Sequence, residues 1–419
     1  MREKQDFWAW IDANREEIIR RGRAFFACAE LGFREWETMR KICERLDAWG
    51  LPYEKEIALT GVKVTIGTGT GYHIGVIADM DALPRRNAPG CIHSCGHSIQ
   101  TSAALTVLEA LVQTDFLQET DGRVTFFFTP AEEFIDFAYR DGLIREGKLE
   151  FRSGKQNMIA LGCFDGVDCI LSLHANGEKK ALFDIDSTLT GFVSKKAIFL
   201  GKAAHSGAAP YLGRNTLHGA MLCMQALTFL KEQFAPEAGL QLAPVLTEPG
   251  GDLNSVPAQT VLETYIRAND AQTLSLAEQR FDDCVRHCAQ ALGLGWRLET
   301  KAGYLPLQQS ALLCRTVQEN MLAFCREKDI VRHPVSGASG DVGDLGSLLP
   351  TVQFGFAGIE GSFHSDDFAV RDEELCYLTT AKVLCGVIYD LLTHPEKRAY
   401  GKNFPEKKER YLAYLRQRQ

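Results

Sequence analysis

The sequence contains no long uninterrupted apolar run and no basic stripe with interleaved aromatics. Its start, Met1-Arg2-Glu3-Lys4-Gln5-Asp6, is charged and carries no signal-peptide pattern. With a net charge of −8, neither nucleic acid nor an anionic membrane is expected as a partner. Cys-x-x-Cys pairs are missing too, which argues against a redox or structural-zinc protein. The thirteen cysteines are odd in number and scattered through apolar stretches, so reduced thiols in a cytoplasmic protein are expected rather than a disulfide framework. No internal repeat or low-complexity tract occurs. The run Gly67-Thr68-Gly69-Thr70-Gly71 lacks a following Lys-Ser/Thr, so it reads as a hairpin turn and not as a phosphate loop.

What remains is a 419-residue chain of ordinary globular composition, long enough for two domains or one domain with an insertion. Periodicity predicts amphipathic helices over residues 7–22 and 35–49, then strands over 62–66 and 73–78. A helix is predicted from His97 to about Val112, a buried strand over 123–128, and another over 168–173 that ends at His174. This alternation implies a mixed or parallel sheet with sites at strand carboxyl ends. From about Leu189 the order becomes strand, helix, strand, strand, helix, strand, the signature of a ferredoxin-like sandwich. The first pattern resumes after Leu305, with a strand over 351–356 and a closing helix over 373–392. The expected domains are therefore residues 1–188 and 304–419 as one body, with 189–303 inserted.

Chemistry concentrates where apolar runs stop. Ile74-Gly75-Val76-Ile77-Ala78 leads into Asp79-Met80-Asp81-Ala82-Leu83-Pro84, and Cys95-Gly96-His97 follows. The strand ending at Thr129 delivers Pro130-Ala131-Glu132-Glu133; His174 closes another strand, and His364 lies in Gly361-Ser362-Phe363-His364-Ser365-Asp366-Asp367. Singly, each has an ordinary reading: loop caps, a buried thiol, a satisfied core histidine, or acids favoured in a helix's first turn. Together, soft sulfur, imidazole and carboxylate donors at the strand ends of one domain are what a transition-metal site needs.

The order and spacing of these motifs, with Ala203-Ala204-His205-Ser206-Gly207, resemble the dimetal amidohydrolase and metallopeptidase family. That family holds aminoacylases, N-acyl-amino-acid hydrolases, auxin-conjugate hydrolases, aminobenzoyl-glutamate hydrolases and glutamate carboxypeptidase. The resemblance covers nearly the whole chain. It implies an α/β fold: a mixed-sheet α/β/α metallopeptidase-like catalytic domain with an inserted ferredoxin-like α+β dimerisation (lid) domain. It implies that Cys95, His97, Glu133, His174 and His364 hold two divalent ions, zinc or manganese first and cobalt or nickel as alternatives, with Cys95 bridging. Glu132 is implied as general base and Asp81 as the carboxylate that orients a ligand, roles consistent with metal-assisted amide hydrolysis. His205 would reach the active site of the partner subunit in a homodimer and stabilise an oxyanion. Asn254, in Gly250-Gly251-Asp252-Leu253-Asn254, and Arg267, in Tyr265-Ile266-Arg267, would bind the small-molecule substrate's carboxylate or carbonyl, although a strand-surface salt bridge is an equal reading for Arg267.

Two departures stand out. The family run Cys-Gly-His-Asp-x-His-Thr-Ala has Ser98 and Gln100 here in place of the Asp and the second His. Neither lost residue is a ligand in the resemblance, so the departure bears on the ligands' surroundings and on metal choice. Residues 134–157 replace a glycine-rich turn, and their Phe and Tyr residues suggest a pocket for an apolar acyl group. The expected activity is hydrolysis of N-acyl-amino acids or related amino-acid conjugates. A dipeptidase or carboxypeptidase of the same family is the alternative, and an inactive conjugate-binding or scaffold paralogue is the alternative of another class.

Overall fold

The computed structural model describes residues 2–176 and 181–418. The chain forms two compact units: Met1–Ser187, Gln308–Val335 and Asp344–Arg410 make the first, and Thr188–Leu307, Ser336–Gly343 and Tyr411–Gln419 the second.

In the first unit eight strands make one mixed sheet: β1 (Tyr53–Ile57), β2 (Gly61–Ile66), β3 (His73–Asp79), β4 (Arg123–Thr129), β5 (Cys169–Ala175), β6 (Phe183–Ile185), β7 (Ile330–Arg332) and β8 (Thr351–Phe356). Their order across the sheet is β1-β2-β4-β3-β5-β8-β6-β7. Strands β4, β3, β5 and β8 run parallel to their neighbours in this central stretch. All seven residues of β3 and all six of β8 are buried, which is why both read as continuous apolar runs instead of alternating ones.

The expected hairpin between residues 62–66 and 73–78 does not form. Strand β4 lies between β2 and β3, antiparallel to the first and parallel to the second. The Gly67–Gly71 stretch instead crosses the start of β4, where Asp121 O accepts the Gly71 N–H at 2.8 Å and the Asp121 carboxylate accepts that of Thr70 at 2.9 Å. A Cβ on Gly69 would lie 2.2 Å from the Asp121 carbonyl carbon, so backbone contact requires glycine there. The predicted helix over 7–22 is two helices, Lys4–Ala13 and Arg15–Phe26, broken at Asn14, whose side chain bonds Trp10 O at 2.8 Å.

The helix His97–Gln113 packs on β3, on Arg15–Phe26 and on the closing segment Glu374–Thr393. Its buried residues cover every face, consistent with its Ala-, Leu- and Val-rich sequence. The closing segment is long and apolar enough to cross a membrane by composition, but 83% of that window is buried in the protein core.

The second unit has an antiparallel sheet in which Gln259–Ala268 and Gly295–Ala302 flank Gly191–Leu200, with Gln241–Leu242 and Val245–Glu248 on the far side of Gln259–Ala268. The helices Thr216–Leu230 and Ala271–Ala291 cover it, completing the strand–helix–strand–strand–helix–strand order. The outer edge of this sheet is two short strands, interrupted after Leu242. The unit also differs from the expected 189–303 by taking in residues 336–343 and 411–419. Thr190 N–H bonds Ala338 O at 2.8 Å, Arg267 bonds Ser339 Oγ at 2.8 Å, and Arg418 bonds Glu278 at 3.2 Å. These long-range contacts cannot be read from local pattern.

Candidate metal centre

Parallel register builds this site. Asp79 pairs with Thr129 and His174 with Gly355, so β3, β4, β5 and β8 end at nearly one level. At or just past those ends stand Asp81, Glu132 and Glu133, His174 and, further on, His364. Gly96 caps the helix His97–Gln113 at φ 88°, and its missing Cβ would sit 2.8 Å from the Ala175 Cβ. That close approach sets Cys95 against β5. The His364 loop is tied to the same segment by its own N–H, which bonds Ser94 O at 3.0 Å.

Six side chains converge. Cys95, His97 and His174 bring donor atoms within 4.8 Å of one another; so do Cys95, Glu133 and His364, and so do His97, Glu132 and Glu133. Cys95 Sγ lies 3.5 Å from His174 Nε2, Glu133 Oε1 lies 3.5 Å from His364 Nε2, and Glu132 Oε2 lies 3.8 Å from His97 Nε2. The imidazoles are oriented from behind. His97 Nδ1 bonds Asp81 Oδ1 at 3.0 Å, and His174 Nδ1 donates to Ala175 O at 2.7 Å, which leaves both Nε2 atoms aimed at the cluster. Phe363 stacks on His174 with ring centroids 6.4 Å apart.

Electrostatics show a set of groups that do not satisfy one another. Burial, aided by the Glu133 charge, pushes the Cys95 thiol well above its usual value. Burial also raises Glu133, with Asp81 adding to the shift against the opposing pull of His97 and His364. Burial lowers His174 to about 4. At His97 burial pulls downward, but Asp81 and Cys95 outweigh it and hold the imidazole well above its ordinary value. His97 Nε2 and Glu133 Oε1 are buried with no hydrogen-bond partner among the described residues. Each such atom costs about 1–3 kcal/mol. A divalent cation would satisfy both and would lower the thiol and carboxyl pKa values together. One sulfur, three imidazoles and two carboxylates suit a borderline transition ion. The residues fit a metal.

His205, Asn254 and Arg267 belong to the second unit. His205 and Asn254 come together on neighbouring loops, where Ser206 N–H bonds Asn254 O at 3.0 Å. Arg267 bonds Ser339 Oγ and lies over Phe192 and Tyr265, 5.5 and 5.7 Å from their centroids. His93, two residues before Cys95, is not in the cluster; its Nε2 lies 3.2 Å from Cys28 O.

Two supporting residues carry no sequence signal. Glu35 is fully buried, accepts from Ala131 N at 2.8 Å and Thr60 Oγ1 at 2.6 Å, and is pushed up to about 8 by burial and the Asp81 charge. Lys155 is buried against Asp79, whose carboxylate also accepts from Thr129 Oγ1 at 2.5 Å. Burial raises the Asp79 pKa, but Lys155 and His97 outweigh it and leave Asp79 below its ordinary value. In sequence neither is distinguished from the charged residues around it, Arg34 and Glu37 for the first and Arg152 for the second, and only the distant partner explains it. Gln100, at the departure from the family run, accepts the Asp79 N–H at 3.0 Å, while Ser98 Oγ is buried without a partner among the described residues.

The mixed α/β fold and a metal-ligand cluster at the sheet's carboxyl edge define a metallohydrolase. The pattern described as "Peptidase family M20/M25/M40" matches residues 75–390, and the chain belongs to that family of amide-bond hydrolases. The chain is 24% identical over 401 residues to the IAA-amino acid hydrolase ILR1-like 4 of Arabidopsis thaliana, covering 89% of this chain and 84% of the relative. It is 27% identical over 340 residues to the Xaa-Arg dipeptidase of Homo sapiens, covering 77% and 70%. Among solved structures it is similar to the Bacillus subtilis YXEP protein, a dinuclear metal binding peptidase from the M20 family. That match has a TM-score of 0.70 at 19% identity and covers 91% of this chain and 99% of the other.

Proposed function

We propose that this protein hydrolyses the amide bond of N-acyl-amino acids or related amino-acid conjugates, releasing an acid and a free amino acid. The observation that carries the reading is the cluster in which Cys95 belongs both to a group with His97 and His174 and to one with Glu133 and His364. Those five residues would hold two divalent ions with Cys95 shared, zinc or manganese foremost and cobalt or nickel as alternatives. Bound there, such ions supply Lewis acidity and bring the pKa of water toward neutrality.

The chain's own residues do the rest. Glu132, with its side chain 12% exposed, takes the proton of the attacking water on its carboxylate and passes it to the leaving amine nitrogen. Asp81 holds His97 in the tautomer that presents Nε2. His205 Nδ1 accepts the N–H groups of Gly207 and Ala208 at 3.2 and 3.1 Å, so its own proton sits on Nε2, free to donate to a developing oxyanion. In this reading His205 serves a partner copy in a homodimer formed through the second unit, and Asn254 and Arg267 bind the substrate's carboxylate or carbonyl. A cytoplasmic setting is supported by the thirteen cysteines, all free.

The test compares N-acetyl- and N-benzoyl-amino acids with dipeptides on purified enzyme resupplied with each metal after chelation. The acylated amino acids should be turned over at least about tenfold better by kcat/KM, a difference of one pocket group. Preference for dipeptides would establish the peptidase alternative, which the similarity to a dipeptidase favours. No turnover at all would leave an inactive conjugate-binding paralogue. Glu132→Ala should lower kcat by about 10²–10⁴-fold with metal content unchanged.

A further inference from the structure

Residues 134–157, whose aromatics suggest a wall of the substrate pocket, make a different connection. They include the helix Phe137–Arg145, and Arg140 on that helix is 1% exposed. Among the described residues, the hydrogen bonds of its guanidinium go to main-chain carbonyls: Arg152 O at 2.6 Å, Ala131 O at 3.4 Å, and Glu133 O. A guanidinium is a planar fork of five fixed donors, suited to gripping several carbonyls at once. Two of the three carbonyls belong to the residues on either side of Glu132.

The short segment is gripped at two of its backbone N–H groups as well. Ala131 N–H donates to Glu35, and Glu133 N–H donates to Asp81 Oδ2 at 2.9 Å. Ala131 is left-handed at φ 55°, a conformation that side-chain-bearing residues seldom hold without help. The helix bearing Arg140 is in turn docked on residues 33–34. Arg34 bonds Asp136 at 3.0 Å and lies 3.7 Å over the Tyr139 ring, and Tyr139 donates to Phe33 O at 3.3 Å.

We propose that Arg140 is a positioning residue: the excursion over residues 134–152 is a strut whose buried guanidinium clamps the carbonyls of the two residues flanking Glu132 and so aims its carboxylate. The inference rests on the reading of Glu132 as general base. A strut of this kind acts on the chemical step and leaves substrate binding alone.

The test is Arg140→Lys, which keeps the positive charge and loses the fork, together with Arg140→Ala assayed with and without added guanidinium. Arg140→Lys should fold, keep its metal, and lose about 10- to 100-fold in kcat with KM within about twofold, the size expected for a misplaced reacting group. Guanidinium should restore kcat to Arg140→Ala. In chelator-treated protein, hydrogen exchange of the amides at 131–133 should be faster in Arg140→Lys than in wild type. Unchanged kcat, or unchanged exchange, overturns the proposal; a raised KM at constant kcat overturns it in favour of a substrate wall. Should both variants fail to fold, Arg34→Ala, a change at a 37%-exposed side chain, loosens the docking alone. It should lower kcat severalfold at constant KM, and wild-type kcat would overturn the strut. Glu132→Gln assayed alongside separates the two readings. Full activity there refutes the base assignment, whereas inactivity there with a normal Arg140→Lys refutes only the strut.

Discussion

Asp81 and Glu133 are joined through the backbone: the Glu133 N–H donates to Asp81 Oδ2 at 2.9 Å, while Asp81 Oδ1 lies 3.0 Å from His97 Nδ1. One carboxylate thus sets the position of a carboxylate donor arriving from β4 and of an imidazole donor opening a helix. Asp81 and His97 are both fully buried, so the pair is not loosened by water.

Replacing Asp81 by Asn should therefore weaken metal binding more than it weakens the fold. An amide can turn its NH2 toward His97 and move the imidazole proton to Nε2, where it blocks ligation. Metal affinity should fall by about 10–100-fold, the usual effect of losing a carboxylate behind a ligating histidine. A competition titration with a chromophoric chelator measures it, and wild-type affinity would remove Asp81 from this role.

His205→Ala and Glu132→Ala should each be inactive alone. Mixed under conditions of proven subunit exchange, they should regain activity, because a hybrid dimer has one site with an intact Glu132 and an intact His205 from the other copy. Recovery is read in the N-acyl-amino-acid assay. Its absence would confine His205 to its own subunit or to a structural role.

A pH dependence follows from His73, far from the cluster in role. Its ring nitrogens lie 2.9 Å from Gly166 O and 2.7 Å from Thr125 Oγ1, and burial lowers its pKa from 6.5 to about 4. Between those values the unfolded chain binds a proton that the folded chain refuses, so stability is lost as pH falls through that window and is unaffected above it. The stability difference between wild type and His73→Gln should then shrink from pH 7.5 to pH 5, measured by urea unfolding. A difference independent of pH would show that His73 titrates normally in the fold.

Much of the architecture was legible because burial leaves a local trace. The run Thr351–Phe356 is a strand with the limits its apolar composition suggests, and the helix from His97 was readable from its small and apolar residues. Helix breaks were less so: Asn14 interrupts a periodicity that continues on both sides. Strand partners were not legible at all. β2 and β3 follow one another across a glycine-rich loop, yet β4, more than fifty residues after β2, lies between them, because an apolar strand states that it is buried and not beside what.

The same division runs through the site. Donor types depend only on side-chain chemistry, so a thiol, imidazoles and carboxylates placed after apolar runs already specified a metal-binding chemistry. Glu35, Lys155 and Arg140 stayed hidden because a buried charge is recognisable only by its partner: Ala131 N for the first, Asp79 for the second, and the carbonyls around Glu132 for the third. By itself, then, the sequence determined the elements and the kinds of ligand. Only the tertiary structure decided that Cys95 stands both with His97 and His174 and with Glu133 and His364, since that depends on the parallel register that levels the ends of β3, β4, β5 and β8, and register is a property of paired strands rather than of any one of them.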